Sequence, residues 1–166
     1  MGDGFNLTPE GKRIFRELDK LGEMVVKVGF QHGKASEDTG IDICDVAAFN
    51  ELGTERSPSR PFMRDSVYDN EDMIRAFLQS KVVDIIQKGE SASQALKGIG
   101  VFQKSLIQDT IEEGHFEPNA GITVNGGWMR TKDGKPFYVK GKHSTHPLID
   151  TGTMKNSVNF VIKKKG

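Results

Sequence analysis

Apolar positions along this chain switch repeatedly between helical and extended spacing, beginning with Ile14, Phe15, Leu18 and Leu21, which recur every three or four residues. That spacing sets them on one face of a helix. Thr8 can accept a bond from an unpaired backbone N–H, and Pro9 is preset for the first helical position, so a helix is predicted from there to about Leu21. Met24, Val26, Val28 and Phe30 then alternate with Val25, Lys27 and Gly29, the period of a strand with one face on a core. The polar, glycine-bounded stretch 31–40 reads as a turn or loop.

Residues 41–43 suit a short extended piece, and Asp45 is placed to cap a short helix that runs through Leu52 and stops at Gly53. The stretch 54–61 should be an ordered surface loop, after which Pro61 can open a helix containing Phe62, Met63 and Val67. Asn70, followed by Glu71 and Asp72 near a positive dipole end, starts a longer helix. Its stripe is Ile74, Phe77, Leu78, Val82, Ile85 and Ile86, and Gly89 stops it. Ser91 and Gln94 have capping-box spacing, and Ala95, Ile99, Phe102 and Leu106 carry the helical period on toward Glu113. Gly98 and Gly100 each weaken that helix by up to ~1 kcal/mol relative to alanine, so they mark a close contact or a hinge.

Through 115–146 the helical pattern disappears, with Phe137, Tyr138 and Val139 suited to a short strand. A loop of this length inside a compact domain is expected to be functional or to order on assembly. Residues 150–153 precede a short helical turn, and Val158, Phe160 and Ile162 alternate into a closing strand that ends in Lys163, Lys164 and Lys165. The pattern predicts an α+β fold, a small mostly antiparallel sheet packed with three or four helices, with a long extended arm or loop in the C-terminal half. At 166 residues it predicts one domain, 1–166, with 115–146 as a protruding arm.

Composition narrows the function classes. Basic and acidic residues balance at 23 each, so the whole molecule lacks the electrostatic footprint of a nucleic-acid binder, and any basic surface must be local. Such a surface is offered by Arg130, Lys132, Lys135, Lys140 and Lys142, set against Asp133 and interleaved with Trp128, Phe137 and Tyr138. The combination suits an arm that docks on a protein neighbour; the alternative is contact with nucleic-acid backbone and bases. The single cysteine, Cys44, lies between apolar residues and reads as a small buried thiol in a reducing compartment. No apolar run reaches the ~20 residues that cross a bilayer, so the expected setting is cytoplasmic, with no membrane partner.

Candidate chemistry is sparse. His143 and His146 lie close together in a loop, without nearby cysteine or a convergent carboxylate pattern, and His32 and His115 stand apart. The stretch 121–127 is glycine-rich but lacks the Gly-Lys-Ser/Thr of a phosphate cradle, and a flexible turn is expected there. Asp65, Asp69, Glu71 and Asp72 are close in sequence; a solvated helix face accounts for them, the rival being a metal-dependent nuclease or hydrolase. The expectation is no enzyme, no cofactor and no metal.

Two segments carry more information than these clusters. Val46-Ala47-Ala48-Phe49-Asn50-Glu51-Leu52-Gly53-Thr54 is followed by Ser59-Arg60-Pro61-Phe62-Met63-Arg64, and later comes Pro147-Leu148-Ile149-Asp150-Thr151-Gly152-Thr153-Met154-Lys155-Asn156-Ser157-Val158. The first pair resembles the tailed-bacteriophage head–tail joining family, in which a short helix ending Asn-Glu-aromatic-or-Leu-Gly-Thr leads to a Pro-Phe-(Leu/Met)-Arg helix start. The second is similar to the closing motif of phage virion-morphogenesis and tail-completion proteins. Both motifs read as fold-making. Gly53 and Gly152 supply turns, Phe62, Leu148, Met154 and Val158 fill the core, and Asp150 or Thr151 caps the following turn. Glu51 is expected to accept bonds from the guanidinium of Arg60 or Arg64.

The resemblance implies a structural virion protein of the head–tail junction or head-proximal tail end: a neck, tail-completion or tail-terminator subunit. It would be made in the host cytoplasm and act by ring self-assembly. Its implied partners are copies of itself, in a hexamer or alternatively a dodecamer, and the neighbouring connector, tail-tube or terminator proteins. DNA in the channel would be an incidental contact. Trp128, Phe137 and Tyr138 are the expected anchors of an arm that embraces a neighbour; the runner-up is a small DNA-binding or metal-dependent nuclease phage protein.

Overall fold

The computed structural model describes residues 7–33, 40–55, 57–148 and 152–166. Its elements follow the order α1 (Pro9–Glu23), β1 (Met24–Gly29), α2 (Ile43–Leu52), α3 (Phe62–Tyr68), α4 (Glu71–Gln87), α5 (Ala92–Glu113), α6 (Gly121–Asn125), β2 (Gly127–Arg130), β3 (Pro136–Val139), α7 (Thr153–Ser157) and β4 (Asn159–Lys164). The fold is α+β as expected, but the single sheet becomes two antiparallel pairs, β1 with β4 and β2 with β3. Seven helices are present among the described residues; the short ones at 62–68 and 153–157 fall where a helix and a helical turn were expected, and 121–125 adds one that was not. The chain divides into two compact units.

The first unit comprises residues 7–29, 66–106 and 159–166. Thr8 caps α1 by accepting the Gly11 N–H at 3.1 Å. β1 and β4 pair with Val26 opposite Ile162 and Val28 opposite Phe160, joining the two ends of the chain. Ser91 and Gln94 form the capping box, with the Ser91 N–H donating to Gln94 Oε1 at 3.0 Å and the Gln94 N–H to Ser91 Oγ at 3.3 Å. Buried Glu17 adds a second cap, accepting the Ala92 N–H at 3.0 Å while Lys20 donates to its other oxygen at 2.8 Å. α5 runs unbroken through Gly98 and Gly100, so neither glycine is a hinge; Gly100 lies against the ring of Phe160.

Ile85, Ala92, Ala95, Leu96 and Leu106 are buried in this unit, and Phe77 stacks on Phe102 at 4.1 Å. The α4 stripe is only partly interior: Ile85 is fully buried, whereas Leu78, Val82 and Ile86 are exposed together with Met73 and Val83. α4 carries apolar residues on more than one face, so not all of them can turn inward.

The second unit comprises the described residues of 30–65 and 107–158. Its core is Ile43, Ala47, Phe62, Ile107, Ile111, Leu148, Met154 and Val158, which includes all four side chains assigned to the core from the two motifs. Phe30 meets Phe62 edge-on at 6.0 Å. α2 begins three residues earlier than expected, because Asp42 rather than Asp45 is its cap and accepts the Cys44 N–H at 2.9 Å. Gly53 ends α2 at φ 75°, where a side chain would stand 2.8 Å from the Ser59 nitrogen. Glycine alone meets both demands. No helix among the described residues is long and apolar enough to cross a membrane.

Candidate functional site

The first motif folds into one corner of the second unit. Glu51, near the end of α2, turns its carboxylate to the N-terminus of α3, where Oε2 accepts the Met63 N–H at 2.9 Å and Oε1 the Arg64 N–H at 3.2 Å. The expected guanidinium bonds are therefore replaced by backbone bonds, and the Arg64 side chain comes no nearer than a loose 4.0 Å ion pair. The physical reason is that unpaired N–H groups at a helix start, reinforced by the dipole, are fixed acceptor-seeking partners for a carboxylate.

Arg60 points elsewhere. It is buried, its N–H donates to the Asn50 carbonyl at 2.7 Å, and Nε donates to the Glu117 carbonyl at 2.9 Å. Nη2 reaches the Pro118 carbonyl and Asn119 Oδ1, both at 3.4 Å. Burial pulls the pKa of this guanidinium down and the charge of Glu117 opposes the shift. Asn119 in turn donates to the carbonyls of Ser144 at 3.3 Å and His146 at 3.1 Å. Arg60 and Asn119 thus clamp both ends of the 115–146 segment to the motif corner.

Between those ends the chain is ordered rather than structureless. Residues 121–125, expected as a flexible turn, form α6, and β2 and β3 form a hairpin. The hairpin base is tied by the Lys142 N–H to the Thr123 carbonyl at 2.9 Å and the His143 N–H to the Val124 carbonyl at 3.0 Å. Trp128 lies opposite Tyr138 and Met129 opposite Phe137. Trp128 and Tyr138 are 73% and 59% exposed, while Phe137 is half-buried. Arg130 lies on β2 two residues from Trp128, Lys132 and Lys135 fall in the turn and Lys140 follows β3; Lys132 contacts exposed Glu55 at 3.4 Å. Such an exposed pair contributes little.

Of the closing motif, Asp150 and Thr151 lie outside the described residues. Gly152 itself occupies the cap position of α7 in the left-handed conformation, φ 76°. Asp69, Glu71 and Asp72 are exposed at the start of α4, with Glu71 paired to Arg75 at 2.7 Å.

Sequence reasoning passed over two clusters. In the first unit, Lys81 donates to Asp84 at 3.1 Å and to Glu90 at 3.3 Å, while Lys88 holds the other Asp84 oxygen at 2.7 Å. In the second unit, the donor atoms of His32, Asp42 and Cys44 all lie within 4.8 Å of one another. Asp42 Oδ2 accepts the Gly33 N–H at 2.7 Å, and the bonds from Gly33 and Cys44 hold its pKa below the usual carboxylate range. The Cys44 thiol is half-buried rather than fully buried, and its pKa is pushed up by burial and then by the adjoining Asp42 charge. The spacing His-x9-Asp-x-Cys was the available signal, but it matches no compact ligand motif. No protein-family model, curated protein or solved structure matches this chain.

Proposed function

We propose that this chain is a structural subunit of a tailed-phage particle at the head–tail junction or head-proximal tail end, working by ring assembly. Its two motifs resemble those of head–tail joining and tail-completion proteins, and the residues of the first build the corner that clamps the 115–146 segment. The observation that carries the reading is the exposed Trp128–Tyr138 pair on a hairpin that also carries Arg130, within a segment whose two ends are held by Arg60 and Asn119. Aromatic and arginine side chains are the residues most enriched at protein interfaces, and anchoring their base lowers the ordering cost of docking. A ring needs two different patches on each copy, one meeting the other on the next copy. The hairpin supplies one patch, and the exposed apolar residues of α4 are the candidate for the other. A ring of six copies matches a tail tube, with twelve as the alternative.

Electron microscopy of particles from a strain carrying the gene and one deleted for it tests this. Deletion should leave separate heads and tails, or tails of abnormal length, and the protein should be found as a ring at the junction of complete particles. Normal particles that lack the protein would overturn the reading.

A further inference from the structure

We propose that His32, Asp42 and Cys44 form a binding site for a divalent zinc ion, clipping the segment that follows β1 to the start of α2. The three residues offer an imidazole nitrogen, a carboxylate oxygen and a sulfur, with all donor atoms within 4.8 Å of one another. Tetrahedral zinc with N and O bonds of about 2.0–2.2 Å sets those two ligands about 3.4 Å apart. His32 Nδ1 and Asp42 Oδ2 stand 3.5 Å apart already. The Cys44 sulfur lies within 4.8 Å of both.

The arrangement also has the outer support that metal ligands need. Asp42 is oriented through backbone N–H groups on both oxygens, from Gly33 at 2.7 Å and Cys44 at 2.9 Å. Each oxygen keeps a lone pair for a metal, and such second contacts fix a ligand's direction. The donor set chooses the ion: thiolate and imidazole select zinc over magnesium or calcium, which demand oxygen ligands. On binding, the Cys44 proton leaves to solvent and the zinc–sulfur bond takes its place, without change of oxidation state. His32 is 81% exposed at the side chain, so the fourth tetrahedral position opens to water.

The test uses the full chain, stripped with a chelator and titrated with zinc by calorimetry and with cobalt(II) by absorption. One equivalent of zinc should bind and raise the melting temperature. Cobalt should give near-ultraviolet thiolate charge-transfer bands that vanish in C44S. His32→Ala, at a side chain too exposed to endanger folding, should weaken zinc binding roughly tenfold or more, since even outer-shell losses cost 10–100-fold. His143→Ala with His146→Ala should leave it unchanged. Failure to bind zinc, wild-type affinity in H32A or in C44S, or a cobalt spectrum without thiolate bands would each overturn the proposal. None of these outcomes depends on whether the protein assembles into a ring.

Discussion

Trp128 and Tyr138 stand directly opposite one another across the β2–β3 hairpin, edge to face with ring centroids 5.5 Å apart, and both remain more than half exposed. A cross-strand aromatic pair contributes roughly 0.2–1 kcal/mol to its hairpin. Two large rings in water therefore do little for the unit that carries them, and their surface is available to a partner. Trp128→Ala is expected to lower unfolding stability by no more than about 1 kcal/mol in denaturant titration. On the proposed reading it should abolish ring formation in sedimentation and electron microscopy. Normal rings from this variant would exclude the hairpin as the contact.

Gly100 shows how a helix-weakening residue can be required by its neighbour. An added methyl group at this position would collide with the ring of Phe160, the β4 residue opposite Val28. Gly100→Ala gains up to ~1 kcal/mol in helix propensity but forces overpacking, which typically costs about 1–3 kcal/mol. The net expectation is destabilisation, measured by thermal and denaturant unfolding. Adding Phe160→Leu should recover part of the loss, and a simple stabilisation by Gly100→Ala would show that β4 shifts freely.

Glu51 holds the start of α3 through two backbone N–H groups, and α3 carries fully buried Phe62. Glu51→Ala removes both acceptors and is expected to cost about 1 kcal/mol, the usual value of a lost cap. Arg64→Ala should be close to neutral, because its guanidinium stands 4.0 Å from the carboxylate and is largely exposed. Equal losses in the two variants, measured by denaturant unfolding, would mean that the ion pair and not the backbone cap holds this corner.

The parts of this fold that were legible in sequence are those with a local cause. Thr8-Pro9, Ser91 with Gln94, and Gly53 announce helix ends through chemistry spanning a few residues, and all three behave as read. Choices between near-equivalent neighbours were not legible: Asp42 displaces Asp45 as the α2 cap because its second oxygen also reaches the Gly33 N–H, nine residues away. The same limit hid the site. Arg60 and Glu51 looked like partners, yet each is taken by backbone groups whose positions only the folded chain supplies; the folded chain likewise brings together His32, Asp42 and Cys44, ten and two residues apart in sequence. Exposed α4 residues illustrate a further gap, since helical period cannot say which apolar face finds a covering.

Glu17 and Asp84 should set the acid limb of stability. Lys20 and then the Ala92 N–H hold the Glu17 pKa below its ordinary value, and Lys88 followed by Lys81 does the same for Asp84. A carboxyl whose folded pKa is depressed stabilises the fold above its unfolded value, about 4, and that contribution disappears as pH falls through the folded value. Lys81 has the opposite sign: its bond to Asp84, with help from Glu90, raises its pKa, so its contribution is complete below the ordinary lysine value and disappears as pH rises through the raised one. The melting temperature of the wild type should therefore fall on acidification below about pH 4. Glu17→Gln should start lower at neutral pH and show a shallower acid slope, since the difference between the two proteins narrows once Glu17 is protonated. Parallel acid limbs in the two proteins would show that Glu17 is not a source of the pH dependence, leaving the other depressed carboxyls, such as Asp84 and Asp42, to account for it.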